Sequence, residues 1–486
     1  MMFPMHNYSR WSFAARTSLV AIALIGLSAC TTTTQIDEIS FDTGPISESA
    51  FRPSVSHPEI DAALGDISAD ALKGYIDKLV SFGTRHALSE TQSDTRGIGA
   101  ARRWIKSEFE QFAADSGRTG DLALQVSFDS HHMEPDGRRV DVPVDIVNVV
   151  CVIPGAMPEA RDRLYYVIGH YDSRNSDAMD RVGDAPGAND DGSGVAVVLE
   201  LARVLSKYRF DATIVAMATA AEEEGLIGAT FHAEDAAAQG KDIRAVLSND
   251  IVGDPSSPFG GTHDTLVRVF SEGVPRHLED NTIRRLQGLS SESDSASRQL
   301  ARFIADSGNS DDLPVQAMLV FRPDRFLRGG DHTPFNTLGV PAVRFTVVEE
   351  NYNRQHQDPR VENGVQFGDL PEYIDSDYLA GVAKLNADAI MRMANAPSIP
   401  ARARLITANL TPKTTIRWDR SPEPDVAGYE IVWRLTTSPI WTGSLDVGDV
   451  AEYTVERSKD NYFFGVRAYD RDGYRSPVAF PTAARK

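Results

Sequence analysis

The chain contains little cysteine and carries an excess of acidic residues. Cys30 and Cys151 are its two cysteines among 486 residues, so an exported form would depend on a large core or a metal rather than on disulfides. Its 49 Lys and Arg residues face 69 Asp and Glu residues, for a formal net charge of −20. Without a basic stripe, nucleic acid is excluded as a partner. This length predicts two or three domains.

The N-terminal region has no hydrophobic run long enough to cross a membrane. "TSLVAIALIGLSAC" is shorter than the roughly 20 apolar residues of a spanning helix, and Arg10 and Arg16 precede it. This pattern is typical of an export signal. Its end, "LSAC", resembles the bacterial lipoprotein box, in which the cysteine becomes the lipidated first residue. We therefore predict a signal peptide over 1–29, lipidation of Cys30 and a tether over 30–57.

These features predict a bacterial cell-envelope protein, anchored by lipid in the outer membrane and facing the periplasm or the cell surface. The alternative is ordinary secretion with cleavage near Ala29. If Cys30 carries lipid, Cys151, inside the apolar run "IVNVVCVIPG", has no partner. We expect it to be an unreactive thiol of the core.

Short β-branched runs alternate with helical segments from about residue 58 onwards. Leu72, Tyr75, Ile76 and Leu79 recur at helical spacing. The apolar runs are "VDIVNVVCVIPG", "RLYYVIGHYDS", "ATIVAMATAAEEEG", "RAVLSNDIVGD" and "PAVRFTVVEEN". This alternation predicts an α/β domain over 58–397, with a mixed, mostly parallel sheet and helices on both faces. Functional sites in such sheets form at the carboxyl ends of the strands.

Acidic residues and histidines follow successive strands of this predicted sheet. The positions concerned are His170, Asp172, Asp190, Asp191, Glu222, Glu223, Glu224, Asp250 and His356. One such residue alone would be a helix cap or part of a solvated surface. Together at strand ends they predict a metal site, and histidine nitrogen with carboxylate oxygen is the ligand set of zinc.

Five motifs carry a resemblance to a known family. "GHYDS", "GANDDGSG", "AEEEGLIGA", "NDIVG" and "GGDHTPF" resemble, in order and spacing, the co-catalytic dizinc exopeptidases of the aminopeptidase Y and bacterial leucyl aminopeptidase type. The resemblance spans roughly residues 60–396. It implies the zinc exopeptidase fold, two zinc ions, peptide substrates and hydrolysis by zinc-activated water.

The resemblance also implies a role for each matching residue. His170 and Asp250 would bind one zinc ion, and Glu223 and His356 the other. Asp190 would bridge the two ions, with a cis peptide bond between it and Asp191. Glu222 would be the general base, and Asp172 would orient His170.

The sequence departs from the family pattern near the last proposed ligand. Family members often have tyrosine immediately before the final histidine, where this chain has Gln355. Tyr352 is nearby, so the group that stabilises the oxyanion remains open. His332, in "GGDHTPF", competes with His356 as the ligand. We prefer His356, because the family's ligand follows the "AVRF" strand, and interpret Asp331 and His332 as structural or near the site.

The residues after 398 have a different pattern. In "YFFGVRAYD", Tyr462, Phe464, Val466 and Ala468 share one face of a strand. Residues 398–486 resemble a fibronectin type III sandwich, which we interpret as a spacer or as a module that binds protein or polysaccharide.

Three other functions compete with an aminopeptidase. Glutaminyl cyclases share the fold with a single zinc ion, but they typically lack the second aspartate and the Gly-Ser-Gly present here at 191–194. A carboxypeptidase would need arginine near the site, and Arg322, Arg325 and Arg328 are available. A non-catalytic binding protein is disfavoured because all five ligand positions are occupied.

Overall fold

The computed structural model describes residues 55–308, 313–408 and 410–485. The helices are α1 (Pro58–Asp66), α2 (Ala69–Val80), α3 (Gly97–Asp115), α4 (Gly192–Leu205), α5 (Ile227–Ala238), α6 (Asp280–Gly288), α7 (Ala296–Gly308), α8 (His332–Thr337) and α9 (Ser376–Asn395). The strands of the first part are β1 (Gln125–Met133), β2 (Val144–Ile153), β3 (Arg163–His170), β4 (Thr213–Thr219), β5 (Asp242–Asn249), β6 (Leu266–Ser271), β7 (Gln316–Val320), β8 (Ala342–Val347), β9 (Arg360–Glu362) and β10 (Val365–Phe367). The strands of the C-terminal part are β11 (Ala401–Ile406), β12 (Thr414–Asp419), β13 (Val426–Leu435), β14 (Gly443–Gly448), β15 (Glu452–Val455), β16 (Tyr462–Asp470) and β17 (Thr482–Ala484).

An eight-stranded mixed sheet forms the centre of the larger part, in the order β1-β2-β4-β3-β5-β8-β6-β7. Its middle strands β4, β3, β5 and β8 are parallel to one another. Antiparallel pairs join β2 to β4 and β6 to β8. The predicted mixed α/β sheet is therefore confirmed, with parallel strands in its middle and a further parallel pair, β6 and β7, at one edge.

Helices cover both faces of this sheet. Along β3, Tyr165 and Val167 belong to a core cluster that includes α2, α4 and α9, while Tyr166 and Ile168 belong to a second cluster with α5 and α8. Successive side chains of a strand point to opposite faces. This packing explains why β4, "TIVAMAT", is buried at every position.

The helical patterns are confirmed with one difference. Leu72, Ile76 and Leu79 of α2 are buried, as their spacing predicts. The spacing of Val197, Leu201, Val204 and Leu205 predicts one apolar side for α4, yet that helix is buried almost all round. The difference arises because α2, α3 and α9 pack over the side of α4 that faces away from the sheet. No helix within the described ranges has the length and apolarity that a membrane crossing requires.

The two cysteines have different outcomes. Cys151 is fully buried in β2, and burial raises the pKa of its thiol to about 12, so the prediction of an unreactive core thiol is confirmed. Cys30, the predicted signal peptide and most of the predicted tether lie outside the described residues.

Two smaller sheets form the C-terminal part, in the orders β15-β12-β11-β17 and β14-β13-β16. Their shared core contains Trp418, Phe464, Val466 and Ala468, with Tyr462 at its edge. The predicted face of β16 is therefore confirmed. The two sheets establish an all-β region, whereas the fibronectin type III assignment stays a prediction.

Candidate metal centre

Three of the parallel strands end beside one another at the same edge of the large sheet. His170 is the last residue of β3, and Asp250 directly follows β5. Glu222 and Glu223 follow β4 after a short turn. Parallel strands bring their carboxyl ends to one edge of a sheet, and so these side chains from distant parts of the sequence meet there.

The backbone of this edge is strained at three positions. Ala221, Ile251 and His356 have φ values of 60°, 61° and 53°, in the left-handed region that non-glycine residues rarely adopt. Each such residue costs on the order of 1–3 kcal/mol and persists where its surroundings enforce it. Each one is, or directly adjoins, a residue predicted to be at the site.

The loop before α4 is fixed by two side chains from elsewhere in the chain. The Asp369 carboxylate accepts the backbone N–H groups of Asn189 at 2.9 Å and of Asp190 at 2.7 Å. The Arg85 guanidinium donates to the carbonyl oxygens of Pro186 at 2.6 Å and of Gly187 at 2.8 Å. The Asp190–Asp191 peptide bond in this loop is cis, as the resemblance implies.

Asp191 is a structural residue of this loop. Its buried carboxylate caps α4 by accepting the Gly194 N–H at 2.9 Å, and it also accepts the His170 N–H at 2.9 Å. It thereby connects the end of β3 to the start of α4. Gly194 is required here because a Cβ at this position would lie 2.2 Å from the carbonyl oxygen of Asn249.

Asp190 lies between the two histidines. Its Oδ1 is 3.1 Å from His170 Nε2, and its Oδ2 is 2.9 Å from His356 Nε2. His356 Nε2 is also 2.8 Å from Glu223 Oε1. One carboxylate therefore faces two histidines through different oxygens.

The side chains around Asp190 form two groups with metal-ligand geometry. The first group is His170, Glu222 and Asp250, and the second is Asp190, Glu223 and His356. Within each group the potential ligand atoms lie within 4.8 Å of one another. The buried atoms Nε2 of His170, Oε1 of Glu223 and Oδ1 of Asp250 lie in ion pairs with Asp190, His356 and Arg344, but none of the three makes a hydrogen bond of good geometry. Buried polar atoms need such bonds or a bound cation, and these nitrogen and oxygen donors fit zinc.

The ionisation of the site follows from the crowding of its carboxylates. Burial alone would lower the pKa of His356, but Glu223 and Asp190 outweigh it and raise that pKa to about 9. The pKa of His170 is also raised. Burial would lower it, but the contacts with the carboxylates of Asp172, Asp190 and Asp250 outweigh that effect. Burial raises the pKa of Glu222 well above its ordinary value, and the nearby Asp250 adds to this. A metal would have to displace the protons of both histidines.

Asp172 positions the residues next to it rather than lining the cavity. Its carboxylate accepts the backbone N–H groups of Glu222 at 3.2 Å and of Glu223 at 3.1 Å. His170 Nδ1 lies 3.2 Å from the Asp172 carbonyl oxygen and 3.6 Å from its Oδ1. Asp172 therefore holds both glutamates and orients one histidine.

The structure places the two candidate histidines differently. His356 is in the second group, whereas His332 Nε2 lies 2.8 Å from the Pro323 carbonyl oxygen and belongs to neither group. Asp331 accepts a hydrogen bond from the Thr219 hydroxyl, and burial raises its pKa to about 7. His332 and Asp331 therefore support the loop behind the site.

Gln355 and Tyr352 lie on different surfaces. Gln355 Nε2 donates to Asp190 Oδ2 at 3.0 Å, and Gln355 lines the cavity over the metal groups. Tyr352 is 61% exposed and lines a neighbouring groove instead. The cavity has a volume of about 480 Å³, and Arg139, Arg174, Arg325 and Arg328 form part of its wall.

Sequence reasoning missed Arg344, Asp369 and Arg85. Arg344 is fully buried in β8, where its guanidinium is 2.9 Å from Asp250 Oδ1 and 3.3 Å from Asp324 Oδ2. A single charge inside the apolar run "PAVRFTVV" was the available signal. Nothing in the sequence indicated that Asp369 and Arg85 contact the loop before α4.

Comparison with known proteins identifies the family. The family model described as "Peptidase family M28" matches residues 148–368 of this chain. A probable zinc metalloprotease of Leptosphaeria maculans is 44% identical over 425 residues, covering 87% of this chain and 96% of that protein. A second one, from Pyricularia oryzae, is 42% identical over 429 residues, covering 87% of this chain and 84% of that protein.

The chain belongs to peptidase family M28.

Membership in M28 makes it a hydrolase of a zinc metalloprotease family. Among solved structures, the LapA aminopeptidase of Legionella pneumophila matches with a TM-score of 0.48 and 22% identity, covering 70% of this chain and 76% of that one. A glutaminyl cyclase of Porphyromonas gingivalis matches with a TM-score of 0.45 and 17% identity, covering 67% and 98%. These structures do not decide between the two reactions.

The relatives overturn the predicted location. The two zinc metalloproteases that are 44% and 42% identical to this chain come from fungi, so the prediction of a bacterial cell-envelope lipoprotein is wrong. The error arose because the prediction depended on one cysteine at the end of a short apolar run. A composition of this kind does not specify one type of cell.

Proposed function

We propose that this M28 chain is a two-zinc aminopeptidase that hydrolyses peptide bonds. The observation that carries the proposal is Asp190, whose two oxygens each face a different histidine at 3.1 and 2.9 Å. A carboxylate placed in this way can be shared by two metal ions. A single-metal site would need no second histidine on the far side of Asp190.

The ligands proposed for the two ions come from different strand ends. His170 and Asp250 would hold one ion, Glu223 and His356 the other, and Asp190 both. When bound, zinc polarises a peptide carbonyl and lowers the pKa of water. Buried atoms of His170, Asp250 and Glu223 that lie in ion pairs but make no hydrogen bond of good geometry support this assignment.

Glu222 is proposed as the general base. It lines the cavity, and its backbone N–H is fixed by Asp172 at 3.2 Å. As the base, this carboxylate would take a proton from the attacking water and then pass it to the leaving amine. Glu222 also lies within reach of His170 and Asp250, so its role as a base needs a test separate from metal binding.

Supporting residues hold this arrangement. Arg344 pairs with Asp250 at 2.9 Å and so favours its ionised form. Asp172 orients His170, and Asp369 fixes the backbone of Asp190. We propose residues 58–397 as the peptidase domain and residues 398–486 as the fibronectin type III-like domain.

Metal analysis and a substrate panel test the proposal. The purified full chain is expected to hold two zinc ions and to hydrolyse aminoacyl-nitroanilides, and a chelator should abolish this activity. Amino-blocked dipeptides serve as the control for cleavage from the other end. One zinc ion per chain together with cyclisation of glutaminyl peptides would replace the aminopeptidase with a cyclotransferase.

A further inference from the structure

The wall of the catalytic cavity carries several arginines. Arg139, Arg174, Arg325 and Arg328 line it together with the acidic residues of the two metal groups. These cations face a cavity in a chain whose formal net charge is −20. Whether they are available to a ligand depends on the partners that each guanidinium already has.

The positive charge of Arg325 is already balanced by carboxylates of this chain. Its guanidinium is 2.9 Å from Glu350 Oε2 and 3.1 Å from Asp324 Oδ1. It also donates to the Gly329 carbonyl oxygen at 3.1 Å. Arg325 is therefore a structural residue that holds the loop carrying Arg328.

Among the described residues, Arg139 and Arg328 form no ion pair, and Arg174 forms only a long one. Arg139 donates to the backbone carbonyl oxygen of Glu223. Arg174 has its nearest carboxylate oxygen, that of Glu223, at 3.8 Å, and its buried Nε makes no hydrogen bond. The Arg328 side chain is exposed and has no ion pair with any residue in the described ranges.

The metal groups make Arg174 still more available. Glu223 is the only carboxylate near Arg174 within the described part of the chain, and its Oε1 lies 2.8 Å from His356 Nε2. A cation bound in the second group would be balanced by the negative charge of Glu223, which would then attract Arg174 less. The guanidinium would then be left with a positive charge directed at the cavity.

We infer that the cavity binds a carboxylate group of the substrate through Arg174, Arg139 and Arg328. This inference deepens the proposed peptidase function and rests on it. A guanidinium matches a carboxylate in charge and in its paired hydrogen-bond donors. The carboxylate can come from an Asp or Glu side chain, or from the free C-terminus of a dipeptide.

Matched substrates test the inference with the zinc-loaded full chain. Glutamyl- and glutaminyl-p-nitroanilide differ in a side-chain carboxylate, and alanyl-alanine and its amide differ in the terminal one. One hydrogen bond to a charged group contributes enough to change kcat/KM about 10-fold. We expect at least that preference for the charged member of one pair, and the pair concerned identifies the source.

Variants locate the subsite. Arg174→Gln and Arg328→Gln should each reduce the preference for the charged substrate several-fold, and the double variant should bring the ratio close to one. Arg322→Gln is the matched control, because Arg322 lies on the same segment but lines the neighbouring groove. It should leave the ratio unchanged. Equal rates within both pairs for the wild-type chain would overturn the subsite.

A binding measurement separates this inference from the proposed function. Calorimetry with N-acetylglutamate and with the uncharged N-acetylglutaminamide should show tighter binding of the acid, lost in the Arg174→Gln, Arg328→Gln double variant. Absence of peptide hydrolysis in every pair would reject the peptidase. Hydrolysis without any difference in binding between the acid and the amide would reject the subsite alone.

Discussion

Two clusters of buried charge in this protein have opposite compositions. The metal cluster comprises His170, Asp190, Glu222, Glu223, Asp250 and His356. The interface cluster comprises Asp294, Arg302 and Arg434, and it joins α7 and the segment before it to β13 of the C-terminal region. In the interface cluster, Asp294 accepts hydrogen bonds from Arg302 at 3.0 Å and from Arg434 at 2.8 Å.

The comparison shows how a buried carboxylate is kept ionised. Asp294 has two arginines, and Glu430 likewise has Arg467 at 2.8 Å and Arg475 at 3.2 Å. The metal cluster packs four carboxylates together, and Arg344 pairs with one of them. Where the chain provides too few cations, an external cation has to complete the balance. The excess of negative charge thus marks the metal cluster, whereas the structural clusters give each carboxylate two arginines.

The largest expected effect concerns the proposed base. Glu222→Gln keeps the shape of the side chain and removes its charge, so turnover should fall about 10²–10⁴-fold while the zinc content stays the same. Steady-state kinetics and metal analysis on one preparation measure both. Glu234→Gln, on the exposed face of α5, is the control. Full activity of Glu222→Gln would remove Glu222 from the mechanism.

Removal of charge from the interface cluster should lower the stability of the protein and leave its turnover intact. Asp294→Ala leaves the charges of Arg302 and Arg434 buried without their carboxylate, which should cost about 3–5 kcal/mol in the free energy of unfolding. Urea unfolding measures this, and activity at low temperature should persist. Glu456→Ala, which breaks an exposed pair with Lys413, should leave the unfolding midpoint unchanged. A stable Asp294→Ala protein would contradict the contrast between the clusters.

Arg344 tests whether the metal cluster depends on its own arginine. Arg344→Met removes the partner of Asp250, and loss of such an outer contact typically lowers metal affinity about 10–100-fold. Competition with a coloured chelator measures the zinc affinity. Arg268→Met is the control, since Arg268 pairs with Glu350, which is not a proposed ligand, at 2.9 Å. Equal zinc affinity in both variants would show that Arg344 only supports the fold.

The smallest expected effect is a dependence on pH. Without metal, Glu223 and Asp190 outweigh burial and raise the pKa of His356 from 6.5 to about 9. The stabilisation is therefore fully present below pH 6.5 and is lost as the pH rises through about 9. Unfolding of the metal-free protein between pH 6 and 9 should show this loss. The zinc-loaded protein should lack it, because a bound histidine is neutral.

His356→Gln provides the control for this titration. The metal-free variant should lose part of the pH dependence, whereas a substitution in the interface cluster, which contains no histidine, should leave it intact. An unchanged profile in His356→Gln would assign the titration to another group.

Much of the fold could be predicted from local patterns. The alternation of apolar strands with amphipathic helices indicated the α/β sheet, and the polar residues after β3, β4 and β5 indicated the edge where they meet. These predictions succeed because a strand needs apolar residues along its length, while the residue that follows it is free to be polar. Local patterns also identified the buried face of β16.

Other features could not be predicted in this way. Asp369 contacts Asp190 across 179 positions of the chain, and no local pattern records such a contact. No local pattern distinguished His332 from His356, and the preference for His356 came from the family resemblance; in the structure His332 faces a carbonyl oxygen and His356 faces Asp190. The location was predicted wrongly from a terminal motif, for which the fold offers no constraint.

The sequence by itself determined the chemistry available to this protein: "PGANDDGSG" puts adjacent carboxylates ahead of a helix, and histidines and glutamates follow neighbouring strands. Only the tertiary structure decided which of these side chains face the metal groups and which ones support the fold. It turned the two oxygens of Asp190 toward different histidines and turned Asp191 inward as the cap of α4. The physical reason is that charge balance and metal geometry depend on distances of a few ångströms, which folding sets between residues far apart in the chain.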